Sequence, residues 1–84
     1  MPAVFLGDGF RFHFYSHEGD PREPVHVHVA KRGTGDAKLW LYPTVTVAYN
    51  HGFDARTLRW ITALVEQRRP EIENAWHDHF RTSE

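Results

Sequence analysis

The sequence predicts an α+β fold: a small antiparallel sheet of four to five strands with two C-terminal helices packed on one face. Three observations predict it. Segments in the first part of the chain alternate apolar and polar residues with a period of two. Clusters of Gly, Pro and Asp separate those segments. From Asp54 onward the apolar spacing becomes that of a helix, and Pro70 divides the helical part in two. The chain of 84 residues is read as a single domain, 1–84.

The elements follow in order. Ala3-Val4-Phe5-Leu6 is a short apolar run ending at the turn signal Gly7-Asp8-Gly9. Phe10 to Tyr15 alternates strictly, with Phe10, Phe12 and Phe14 on one face. Ser16 to Pro24 is polar and broken by Gly19-Asp20-Pro21. Val25-His26-Val27-His28-Val29 alternates again, with β-branched valines on one face. Gly33-Thr34-Gly35 turns the chain into two further strands, Ala37 to Leu41 and Val45 to Tyr49, separated at Pro43. Asp54 suits an N-cap, with Phe53 before it placed to staple onto Leu58. Leu58, Ile61, Leu64 and Val65 share one helical face. Pro70 suits the first turn of a second helix whose inner side is Ile72, Trp76 and Phe80.

Composition narrows the function classes. A short chain needs a dense core, and three Trp, three Tyr and six Phe supply it. The absence of cysteine excludes disulfides, thiol nucleophiles and Cys-based zinc sites, and favours a reducing compartment. Met1 to Phe5 has neither a basic region nor a long apolar run, so no signal peptide is expected. No stretch is apolar enough for a membrane span, and a cytoplasmic location is expected. The formal charge of −1 gives no overall basic footprint for nucleic acid, leaving at most a local patch. No phosphate-cradling glycine loop, G-x-S-x-G or H-E-x-x-H is present.

Histidine is the unusual component: seven in all, four of them between His13 and His28. If the phenylalanines and valines face the core, Arg11, His13, Tyr15, His26 and His28 lie together on the opposite face. Any register that keeps both apolar sets on one side keeps this polar set on the other. His13 opposite His28 is one such register, and His13 opposite His26 is another. Trp40 alternates with Leu39 and Leu41 and is expected on the histidine face too. This surface is the candidate catalytic or binding site.

Three readings compete for it. In the first, His26 and His28, with Cα atoms roughly 6–7 Å apart on a strand, bind a divalent metal, and His13, Glu23 or Asp36 adds a third ligand. In the second, the histidines take and give protons on a phosphodiester, with Arg11 pairing the phosphate and Tyr15 holding a hydrogen bond. In the third, the face is a solvated sheet surface or a protein-binding surface, since antiparallel sheets commonly keep one wet face. Other residues have plainer readings. Trp60 flanks the core, His51 belongs to a turn, and His77 and His79 lie on a solvated helix surface. Arg68 and Arg69 suit the C-terminal dipole of the first helix.

Several segments together carry a resemblance: Met1-Pro2-Ala3-Val4, Phe10 to Ser16, Glu23-Pro24-Val25-His26-Val27-His28-Val29, Ala37 to Leu41, and Tyr49-Asn50-His51-Gly52-Phe53 before a helix reaching Trp76. The sequence resembles the small bacterial family known as domain of unknown function 4160, over nearly its whole length. Pro24 to His28 is the most specific part, although the family usually has two prolines before the first histidine, where this chain has Pro24-Val25. The resemblance implies a protein partner, a second small protein encoded alongside, and a module of toxin–antitoxin type. It transfers no activity. The resulting expectation is a protein-binding component working through Arg11, His13, Tyr15, His26, His28 and Trp40, with a histidine-based nuclease or metal-dependent enzyme as the alternative. No cofactor is predicted, a divalent metal at His26 and His28 is left open, and an edge strand offers a route to a homodimer.

Overall fold

The structure is a computed structural model that describes residues 3–7, 9–14 and 24–81. Five strands form one sheet: β1 (Ala3–Gly7), β2 (Phe10–His13), β3 (His26–Lys31), β4 (Gly35–Trp40) and β5 (Thr46–His51). Each strand pairs antiparallel with the next, so spatial order equals chain order. Two helices follow, α1 (Ala55–Gln67) and α2 (Arg69–Arg81). This is the α+β class the alternation implies. Among the described residues no helix is long and apolar enough to cross a membrane.

The β2–β3 register resolves the choice the sequence leaves open. Phe12 pairs with Val29 and His13 with His28. Val27 pairs with Leu39 and Val29 with Ala37. Phe12, Val27, Val29, Ala37 and Leu39 therefore share one face, and all are buried with Ile61, Val65, Ile72 and Trp76 from the helices. Beta-branched and aromatic residues fit this pleated, covered surface.

The β4–β5 pairing slips by one residue between Lys38 and Leu39. Lys38 pairs with Tyr49, whereas Leu39 pairs with Val47, which leaves Ala48 as the extra residue of a bulge. Without that bulge Val47 and Tyr49 would share a face. With it, Val47 goes to the helix side and Tyr49 to the histidine side. The helices cover the middle of their face and not its β5 edge, where Val47 remains exposed.

Two glycines bring the β3–β4 turn against the entry to α1. A Cβ on Gly35 would lie 2.3 Å from the His51 carbonyl oxygen, and one on Gly52 would lie 2.3 Å from that of Thr34. Asn50 closes the next turn: its Nδ2 donates to the Phe53 carbonyl at 2.9 Å, and its Oδ1 accepts from the Phe53 N–H at 3.2 Å. Asp54 then caps α1 as the sequence predicts, accepting the Thr57 N–H at 2.7 Å. That backbone hydrogen bond, with Arg56 and Arg59 nearby, holds the Asp54 carboxyl below its ordinary value.

Helix α1 ends at Arg68, whose N–H donates to the Leu64 carbonyl. Arg69 does more than face a helix dipole. Its guanidinium lies 4.9 Å from the Tyr42 ring centroid and donates to the Leu41 carbonyl at 3.2 Å. Tyr42 donates a hydrogen bond to Glu73, which raises the phenol's pKa and lowers the carboxyl's. These contacts tie α2 to the end of β4. The buried Trp76 ring meets Phe14 edge-on at 5.3 Å and His26 at 4.8 Å, so α2 reaches the end of the sheet where its two faces meet.

Candidate functional site

The face opposite the helices is built in rows by strand pairing. One row carries His13, His28, Lys38 and Tyr49; the next carries His26 and Trp40. A third, on the other side, carries Arg11, Ala30, Asp36 and His51. The predicted residues Arg11, His13, His26, His28 and Trp40 thus share one face. Tyr15, together with Glu23, lies outside the described residues.

The expectation of a solvated histidine face is corrected. His13, His26 and His28 are exposed by only 3%, 0% and 5%. Alternation assigns the side of a sheet and not the depth beneath its neighbours. Among the described residues, ring contacts contribute to that depth. His13 and His28 stack at 5.6 Å with 19° between their planes. His26 meets His28 edge-on at 5.2 Å and Trp40 at 5.5 Å. Trp76 closes the far side of His26. Arg11 remains exposed, and Lys38, Trp40 and Tyr49 are half-buried around the cluster.

Buried imidazoles need hydrogen-bond partners. His26 Nδ1 lies 2.8 Å from the Pro24 carbonyl oxygen. A carbonyl only accepts, so Nδ1 is the donor in this contact. His28 Nδ1 lies 3.4 Å from the Tyr49 hydroxyl. Lys38 places its ammonium 4.5 Å from the Trp40 ring centroid, which keeps a positive charge beside the histidine rows.

Tyr49, Lys38 and His51 are the functional candidates the sequence reading misses; His51, read as a turn residue, ends β5 on this face opposite Asp36. Tyr49 reaches this face only because of the bulge at Ala48. Lys38 follows from the same alternation that places Trp40, since the two are two residues apart on one strand. Among the described residues, no group of three or more His, Asp or Glu side chains is placed to hold a metal ion. Asp36 sits one row away, opposite Ala30 and His51. Trp60 packs against Phe10 as expected of a core-flanking ring, and exposed His77 pairs with Glu73 at 3.5 Å.

A five-stranded antiparallel meander, covered on one side by two helices and carrying a buried imidazole cluster on the other, defines a small α+β domain with a histidine-centred second face. The family model described as a domain of unknown function (DUF4160) matches residues 9–77, most of the chain. The chain belongs to that family. It matches no curated protein and no solved structure.

Proposed function

We propose that this domain is the binding component of a two-protein module of toxin–antitoxin type, and that its histidine face is the surface that engages the partner protein. One observation carries the reading: a rim of half-buried Trp40, Tyr49 and Lys38, with exposed Arg11 and His51, surrounds imidazoles that are already buried. Interface centres favour Trp, Tyr and Arg. A buried, ring-stacked floor holds such a rim in place before binding, which lowers the ordering cost of association. The partner is the second small protein that the family resemblance implies, and the site of action is the cytoplasm.

The test is co-expression with the small protein encoded alongside, followed by titration of the purified pair. Trp40→Ala and Lys38→Ala should each weaken the complex by about tenfold or more, as hot-spot truncations do. Growth on induced expression of each protein alone, and of both, reads the module's polarity. Complex formation unchanged in both variants places the partner on another surface.

A second reading, a histidine-based nuclease or metal-dependent enzyme on the same face, is supported by the His26 Nδ1 contact with the Pro24 carbonyl, which orients the imidazole. It predicts cleavage of an RNA substrate, or a bound divalent ion, in purified protein. It also predicts loss of either property in His26→Gln, which leaves the partner's affinity within a few-fold.

A further inference from the structure

A cleft on the opposite side of the sheet joins the β2–β3 pair to the first turns of α1. Phe10, Lys31, Arg56, Thr57 and Trp60 line it, and its volume is about 350 Å³. Phe10 and Lys31 are cross-strand partners. Neither the histidine cluster nor its rim contributes to this cleft, so it stands or falls independently of the protein-binding reading.

We propose that this cleft binds a nucleotide, with the base stacked on Trp60 and the phosphate held by Lys31 and Arg56. The aromatic wall is already assembled. The Trp60 ring lies 5.0 Å from Phe10, and Phe10 lies 5.7 Å from Phe53. Phe10 and Phe53 are buried, yet Trp60 keeps 40% of its surface exposed, while the next helix residue, Ile61, is fully buried. An indole supported behind and open in front is a stacking platform for a flat base.

Both cations line the cleft beside that wall. Lys31 Nζ lies 4.8 Å from the Phe10 centroid. Its stem passes over Gly9, where a Cβ would come within 3.6 Å of Lys31 Cε. Arg56 enters from the first turn of α1, with the Thr57 side chain beside it. A guanidinium and an ammonium together suit a phosphate: one offers a planar fork and the other a point charge. Among the described residues that line the cleft, none is acidic. The nearby carboxylate of Asp54 is already engaged with the Thr57 N–H.

Size and charge choose between ligands. Ligand pockets span about 300–1,000 Å³, and this one is at the small end, suited to one nucleotide. The chain's formal charge of −1 supplies little for a long polyanion. The ligand is therefore a free mononucleotide or the terminal nucleotide of a single strand.

The experiment is a titration of the full chain with adenosine and uridine monophosphates, followed by amide and indole NMR signals. Saturable shifts should appear at Phe10, Lys31, Arg56, Thr57 and the Trp60 indole. Trp60→Ala should weaken binding by about tenfold, Trp60→Phe should retain it, and Trp40→Ala should leave it unchanged. Arg56→Gln should weaken the nucleotide and leave the unphosphorylated nucleoside unaffected. A short single-stranded oligonucleotide binding more tightly than the monophosphate identifies a strand end as the source, and equal or weaker binding identifies a free nucleotide. No saturable shift up to about 10 mM, or shifts that map to the histidine face, overturns the assignment. Shifts reproduced in full by inorganic phosphate alone also overturn it.

Discussion

At their centres the two faces of the sheet are buried to nearly the same depth with opposite chemistry. On the helix side, Phe12, Val27, Val29, Ala37 and Leu39 are fully buried and make no demand on their neighbours beyond shape. On the other side, His13, His26 and His28 are at most 5% exposed, and each ring carries two nitrogens that must be accommodated. Pro24 and Tyr49 meet two of those requirements directly. An apolar face tolerates rearrangement if volume is kept. A buried imidazole face is tied to particular partners, and losing one leaves a polar atom stranded at a cost of roughly 1–3 kcal/mol. The difference suggests a division of labour: the helix face gives the domain its stability, and the histidine face gives its surface a fixed form.

The largest effect is expected where the two faces join. Trp76 contacts Phe14 from one side and His26 from the other. Trp76→Ala should cost about 3–5 kcal/mol, a large share of the roughly 5–15 kcal/mol that holds a typical domain together. Denaturant unfolding of the two proteins, read by far-ultraviolet circular dichroism, measures it. A loss under about 1 kcal/mol, the ordinary cost of a point mutation, would show that the junction is not part of the core.

The comparison between the faces is sharpened by paired substitutions within β3. His26 and Val29 are both fully buried, on opposite sides. Val29→Ala removes two methyl groups at a cost of roughly 1–3 kcal/mol. His26→Ala should cost at least as much, about 2–4 kcal/mol, because it empties a larger site and leaves the Pro24 carbonyl without its donor. If His26→Ala stays within about 0.5 kcal/mol of wild type, the histidine face behaves as exposed surface, and the floor of the proposed interface is lost with it. Urea midpoints at constant slope decide between the two.

The contrast also explains what the sequence makes legible. Strand periodicity identifies both faces, and the demand that apolar sets stay together leaves only a few registers, of which His13 opposite His28 is the one adopted. The end signals of the helices are local as well. Asp54 caps α1, and a break at Arg68 just before Pro70 separates it from α2. Depth is not local. His13, His26 and His28 read as wet because polar residues on an alternating strand usually are, whereas in the fold Trp40 and Trp76 pack on His26 and Tyr49 on His28. The bulge at Ala48 has no signature in a segment where Val45, Val47 and Tyr49 read as one alternating set. The cleft of Lys31, Arg56 and Trp60 joins a strand end to a helix start, an apposition that no single segment encodes.

The smallest effect tests the part of the molecule where a local rule suffices. Asp54 is exposed, and its contribution comes from one hydrogen bond to the Thr57 N–H at the start of the helix that covers the apolar face. Because the fold holds its carboxyl below the ordinary value of 3.8, the ionised form is favoured more in the folded than in the unfolded chain. The stabilisation is therefore fully present above the unfolded value and is lost as pH falls through the lower folded value. Asp54→Ala should lower the melting temperature by a few degrees at neutral pH, and the gap from wild type should narrow as the pH drops below that range. Thermal melts at neutral and acid pH measure both. A gap that stays constant with pH would assign the loss to helix propensity and side-chain packing instead of the charged cap. The histidine cluster should stay assembled in that variant, since its ring contacts described above are with Trp40, Tyr49 and Trp76 and not with Asp54.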